Sequence, residues 1–209
     1  MSNGTPIRFH KNDLPNLDHY NVALVAIDTE TLGLNPHRDR LCVVQLSPGD
    51  GSADVIQIAP GQREAPNLVA LLKDPAITKL FHFGRFDIAV LYHALGALAE
   101  PVFCTKIASR LTRTYTDRHG LKDICSELLG VILSKQHQSS DWAAEVLSPE
   151  QLDYAASDVL YLHRLRDALS SRLVREGRME IADACFRFLP TRSKLDLLGW
   201  PEDDIFAHS

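Results

Sequence analysis

An apolar run in residues 22–34, VALVAIDTETLGL, ends on Asp28, Thr29 and Glu30 and breaks at Gly33. Side chains of a strand alternate between its faces, so Asp28 and Glu30 point the same way. Two carboxylates side by side at the end of a buried strand repel each other and lose hydration. A divalent cation relieves both problems. The competing reading is a strand end with two solvated acids, and the rest of the chain decides between them.

The flanking segments read as an α/β domain. Residues 1–20 are polar, with a short edge strand expected at 7–9. After the first long strand come a turn at 34–40, a strand at 41–46, a hairpin turn at 48–51 and a strand at 54–58, which together suggest an antiparallel meander. A short helix is expected at 67–73, stopped by Asp74 and Pro75. A buried strand at 79–83 leads through Gly84 into a helix over 85–95, with Asp87 in its first turn, where free backbone N–H groups favour an anion. Residues 102–110 hold a short strand running into a helix, and 119–130 an amphipathic helix. Residues 132–146 are polar and irregular, with a short helix near Trp142. Ser148, Pro149 and Gln151 signal a capped helix running to about residue 175. On it Tyr154 and Asp158 stand one above the other at i, i+4. A further helix is expected over 179–188. The end of the chain, 189–209, carries Leu195, Leu197, Leu198, Trp200 and Ile205, too apolar for a free tail. The division expected is 1–178 as the main domain, with 179–209 packing on it or on a neighbouring subunit.

Composition narrows the function. With 209 residues, 45% of them hydrophobic, the chain is long enough for a sizeable core. A net charge of −5 argues against a broad cationic groove for long nucleic acid, though not against a short strand held by metals and a few basic groups. Cys42, Cys104, Cys125 and Cys185 form no close pair, which suits reduced thiols in a cytoplasm. No run is apolar enough to span a membrane, and the N-terminus lacks a signal-peptide core.

Four acids stand out: Asp28, Glu30, Asp87 and Asp158, with Tyr154 one turn from the last. They cannot share one small space without cations. Oxygen-only ligands select hard ions, Mg2+ or Mn2+. Two such ions about 3.5–4 Å apart hold a phosphodiester, activate water and stabilise the leaving oxygen. Tyr154 would then orient the attacking water; acting as its base would require help from metal or burial, since a free tyrosine titrates near 10.

The segments AIDTETLGL, HFGRFDIAVL and YAASDVLYL resemble, in this order, the three exonuclease motifs of the DEDD 3′–5′ exonuclease superfamily, in its tyrosine-bearing branch with ribonuclease D. The similarity runs from about residue 20 to 175. It implies an RNase H-like α/β exonuclease fold, a mixed central β-sheet flanked by α-helices. It implies that Asp28, Glu30, Asp87 and Asp158 hold two metal ions, and that Tyr154 positions the nucleophilic water. The segment KQHQSSDW also looks like the ribonuclease D pattern before the third motif, with Gln138 and Trp142 supporting the site. The C-terminal helical domains of ribonuclease D have no counterpart in the roughly 30 residues that follow. Length, the DTETLGL and DRLCVVQLSPGDG stretches and the Trp-containing tail are most similar to the nanoRNase C oligoribonucleases. That resemblance implies a metal-dependent 3′–5′ exoribonuclease acting on short single-stranded RNA, especially dinucleotides, and a ring-like homo-octamer. A broader exonuclease trimming longer RNA or DNA, and an inactive RNA-binding protein on the same fold, are the alternatives; the presence of all four acids speaks against the second.

Substrate contacts are less constrained. Thr31, Leu32 and Gly33 follow the first motif, where backbone approaches a terminal nucleotide and Leu32 either wedges against a base or joins the core. His82 and Phe83 precede Asp87, and Phe83 either stacks on a base or packs inside. Arg110, Arg113, Arg118, His119 and Lys122 form the densest basic region, either a phosphate contact, with Arg113 as its candidate, or a solvated face. His137 does not match the spacing of the third motif, in which Tyr154 takes the base position.

Overall fold

The computed structural model describes residues 5–134, 136 and 140–208. The expected long strand forms as β2, Leu24–Thr31, and the meander follows as β3, Leu41–Ser47, and β4, Ala53–Gln57. These pair antiparallel, with Asp28 opposite Gln45 and a register shift between Glu30 and Thr31. The short N-terminal strand β1, Ile7–Lys11, lies parallel to β4 at the sheet edge. On the other side, β5, Thr78–Phe81, and β6, Val102–Cys104, extend the sheet in parallel, giving the order β1-β4-β3-β2-β5-β6.

All seven residues of β3 are buried, because both faces of the sheet are covered. Val44, Leu46 and Ile56 face the main core with Leu68 and Leu72 of α1, Pro66–Lys73. Val43 and Val55 face a smaller cluster with Trp142, Leu147 and Ala155. The result is a mixed sheet flanked by helices, as expected.

Helix α2, Arg85–Leu95, follows β5; α3, Thr105–Thr112, follows β6; α4, Leu121–Leu129, ends on the left-handed Gly130. Three expectations are corrected here. The strand expected to reach Phe83 stops at Phe81, and Phe83 takes a left-handed φ of 65°. A Cβ on Gly84 would meet Phe81 Cβ at 2.6 Å, so the chain turns tightly onto its own strand end at that point. The single helix expected from 149 to 175 is two, α5, Pro149–Leu160, and α6, Leu162–Arg175, bent at Tyr161. The bend lets α5 lie on β2, β3 and β4 while α6 packs among α3, α4 and the last helix. No helix forms at Trp142.

The last helix, α7, Met179–Leu198, runs ten residues past its expected end and through Pro190. Proline removes a donor from a helix, yet Phe186, Leu189, Pro190 and Ser193 are all buried as α7 packs on α2 and β6, and this packing outweighs the loss. Arg85 fastens the two helices with paired bonds to Asp196 of 2.6 and 2.7 Å, and Ser193 Oγ donates to the Arg85 carbonyl at 2.9 Å.

Candidate active site

The site lies at the C-terminal end of β2, between the first turn of α2 and the middle of α5. Strand alternation places Asp28 and Glu30 together, and α5 brings Asp158 to them: ligand oxygens of these three lie within 4.8 Å of one another. The register shift just beyond Glu30 ends regular pairing there and re-aims the strand end. Asp87 is buried and accepts a 2.6 Å bond from Thr29 Oγ1, so the residue between the first two acids holds the third. Asp28 accepts a 2.8 Å bond from Gln45 Nε2 across the β2–β3 pair.

Helix α5 is set by its cap. Ser148 and Gln151 bond reciprocally at 2.9 and 3.2 Å, and Gln151 Nε2 also reaches the Asp141 carbonyl at 3.1 Å. This ties the preceding loop to the helix and seats Trp142 against Tyr154, with ring centroids 6.0 Å apart.

Electrostatically the four acids are uncompensated. Burial, then Asp87, Asp158 and Glu30, push the Asp28 carboxyl well above its usual range. Burial and the charges of Asp158 and Asp87 raise Glu30 to about 9. Asp87 and Asp158 rise to about 7, chiefly through burial, despite the bonds that Thr29 and Tyr154 donate to them. Tyr154 is pushed up by burial and by Asp158, so its phenol keeps its proton. A pocket of oxygen ligands that repel one another, with no ion pair to a cation among the described residues, fits hard divalent ions: Asp28, Glu30 and Asp158 are poised to share one, with Asp87 close enough to act on all three.

These acids floor a cleft of about 760 Å³ that is also lined by Thr31, Leu32, Gly33, His82, Phe83, Trp142 and Tyr154. Leu32 is 54% exposed and Phe83 46%, so neither joins the core. Thr31 Oγ1 donates to the Gly33 carbonyl at 2.5 Å. A Cβ on Gly33 would meet Asp39 Oδ2 at 2.4 Å, so this glycine lets the loop close on the Asp39 carboxylate. His82 Nδ1 lies 2.9 Å from Thr105 Oγ1, and burial drives its imidazole down to about 3, leaving it neutral. Gln138 lies outside the described residues.

Arg113 does not reach the cleft, contrary to expectation. Its guanidinium is 1% exposed and its donors go to Glu127, to Ser109 Oγ at 3.0 Å and to the Arg118 carbonyl at 2.6 Å. It knits the α3–α4 connection together instead. Sequence reasoning missed the bonds that Thr29 and Gln45 make to Asp87 and Asp28, and the places of Phe86 and Lys106 on the cleft wall. A polar Gln45 within the otherwise apolar LCVVQLS run, and a lysine at a helix start, were the available signals.

A family profile described as 3′–5′ exonuclease matches residues 14–174, which contain every group just named at the acid cluster. Ribonuclease D of Granulibacter bethesdensis is 38% identical over 155 residues, 74% of this chain and 39% of that protein. The chain thus spans well under half the length of this curated relative. Among solved structures, Brucella melitensis NrnC with bound Mg2+ matches with a TM-score of 0.95 and 75% identity, over 98% of this chain and 100% of that one. NrnC bound to pGG matches with a TM-score of 0.96 and 75% identity, over 99% and 100% of the two chains. These matches agree with the RNase H-like exonuclease architecture. No helix among the described residues is long and apolar enough to cross a membrane.

Proposed function

This chain belongs to the 3′–5′ exonuclease family, and on that premise we propose that it is a metal-dependent exoribonuclease that hydrolyses short oligoribonucleotides, dinucleotides above all, to nucleoside 5′-monophosphates. The observation that carries the reading is the convergence of Asp28, Glu30, Asp87 and Asp158 in an open cleft where, among the described residues, no ion pair neutralises them. The likeness to NrnC, solved with Mg2+ and with pGG, supports the metal and the substrate class.

Two divalent ions, Mg2+ or Mn2+, held by these four acids would supply Lewis acidity at the phosphate and lower the pKa of water. The chain supplies the rest. Thr29 and Gln45 hold Asp87 and Asp28 in place. Tyr154 keeps its proton on the phenol oxygen, bonds Asp158 and orients the attacking water. Trp142 backs the tyrosine ring. Water adds to phosphorus, the bond from phosphorus to the 3′-oxygen breaks, and that oxygen takes up a proton as the 3′-terminal nucleotide leaves as a 5′-monophosphate. Leu32 and Phe83, exposed on the cleft rim, meet the bases.

The reading extends to a cytoplasmic homo-octamer in which 1–178 form the catalytic domain. Leu198, Trp200, Ile205 and Phe206 are exposed near the end of the chain and support self-association there. The test is product analysis with end-labelled RNA and DNA of two to twenty nucleotides, with and without Mg2+, on protein of known mass in solution. Dinucleotides should disappear fastest. If they persist while long strands are trimmed, the broader exonuclease reading replaces this one.

A further inference from the structure

Among the described residues, four carboxylates line the cleft but only one lysine, Lys106 in the first turn of α3. Lys106 is poorly placed for its own sake. The positive end of the helix dipole opposes a cation there. Burial, and then Arg110 one turn along the helix, lower its pKa. No ion pair among the described residues includes it; its one partner is the Phe83 ring, whose centroid lies 4.0 Å from Nζ.

Two explanations fail on their particulars. Lys106 does not pair with the acid cluster: among the described residues no ion pair joins it to Asp28, Glu30, Asp87 or Asp158. It is not simply a solvated surface lysine either, since it lies half-buried on the wall of the cleft. Phe83 adds a second cost, a left-handed backbone at a residue with a bulky side chain. An anion above α3 relieves the helix-dipole, burial and Arg110 penalties together, because it would meet the ammonium at the positive end of the helix.

We propose that Lys106, carried over the Phe83 ring, binds a phosphate of the short RNA whose terminal linkage lies among the acids. The proposal rests on the exoribonuclease reading. The phosphate is either the scissile diester or a 5′-terminal monoester, and the two are separable.

Lys106→Ala, Lys106→Gln and Lys106→Arg are compared with wild type on dinucleotides with and without a 5′-phosphate, and by calorimetric binding of a nucleoside 5′-monophosphate in Mg2+. Losing one charge-assisted contact should raise KM and weaken binding by about tenfold with kcat within about twofold. The slope of log affinity against log salt should become shallower by about 0.7, and Lys106→Arg should restore both. A loss shared by both dinucleotides and the monophosphate assigns the scissile phosphate; a loss confined to the 5′-phosphorylated dinucleotide assigns the terminal one. An unchanged KM, affinity and salt slope in Lys106→Ala, or a Lys106→Gln variant as good as Lys106→Arg, overturns the proposal. If wild type binds the monophosphate but cleaves no RNA, the exoribonuclease reading breaks and Lys106 is judged on the monophosphate affinity alone.

Discussion

Asp54, buried on the sheet, and the acids gathered at the end of β2 are treated in opposite ways. Asp54 on β4 is 2% exposed, and burial alone would raise its pKa. Instead it is held low by Arg8 at 2.7 and 2.8 Å, Tyr20 at 2.6 Å and His10 at 2.7 Å. At the end of β2, two strands away, Asp28, Glu30, Asp87 and Asp158 receive bonds from Gln45, Thr29 and Tyr154, all neutral, and remain raised. A carboxylate that serves the fold is neutralised from within. The cleft acids are left for something from outside to complete, and this difference separates them from ordinary buried charge.

The contrast breaks most visibly if Asp158→Asn and Asp54→Asn behave alike. Asp158→Asn should lower turnover by about 10³-fold and raise the melting temperature of metal-free protein, because it removes a repelled charge. Asp54→Asn should cost about 3 kcal/mol of stability and leave turnover intact below its melting point. Chemical denaturation alongside initial rates on a dinucleotide measures both.

Tyr154→Phe separates orientation from ligation. It should reduce kcat by about 10²-fold while calorimetric Mn2+ binding changes little. A rate equal to wild type would reduce the tyrosine to packing against Trp142.

Gln45→Leu tests how far the Asp28 carboxylate depends on its neighbour. The Mg2+ half-saturation should rise by about tenfold. Gln45 Oε1 has no partner in its buried position, so removing the amide should cost little stability. A variant that melts early with an unchanged metal requirement contradicts this.

The smallest effect is in pH. For the cleft acids, folded pKa values are raised, so the metal-free native state holds more protons than the unfolded chain above about pH 4. Their contribution is greatest below that and declines as pH rises through about 7 and then about 9. Melting temperature in a chelator should therefore fall by a few degrees from pH 5 to 9, and Mg2+ should restore more of it at pH 9 than at pH 5. Asp54 has the opposite sign: its stabilisation is present above the ordinary carboxylate range and is lost in acid.

Local rules made much of this legible in advance. Two-residue alternation placed Asp28 with Glu30, helical spacing placed Tyr154 with Asp158, and the Ser148–Gln151 box fixed the start of α5. What was missed depended on contacts distant in sequence. Phe83 reads as strand until the Phe81 ring is seen under Gly84. Pro190 reads as a stop until it is seen buried within α7, which packs on α2 and β6. Arg113 reads as surface because nothing nearby announces that Glu127, Ser109 and a carbonyl will surround it.

The Arg85–Asp196 fastening spans 111 positions of sequence. During synthesis the helix that carries Asp87 therefore emerges long before the one that grips it. A nascent chain can pair its strands early and seat the third acid against Thr29, but the helix that carries this acid gains its Asp196 and Ser193 contacts only when α7 arrives.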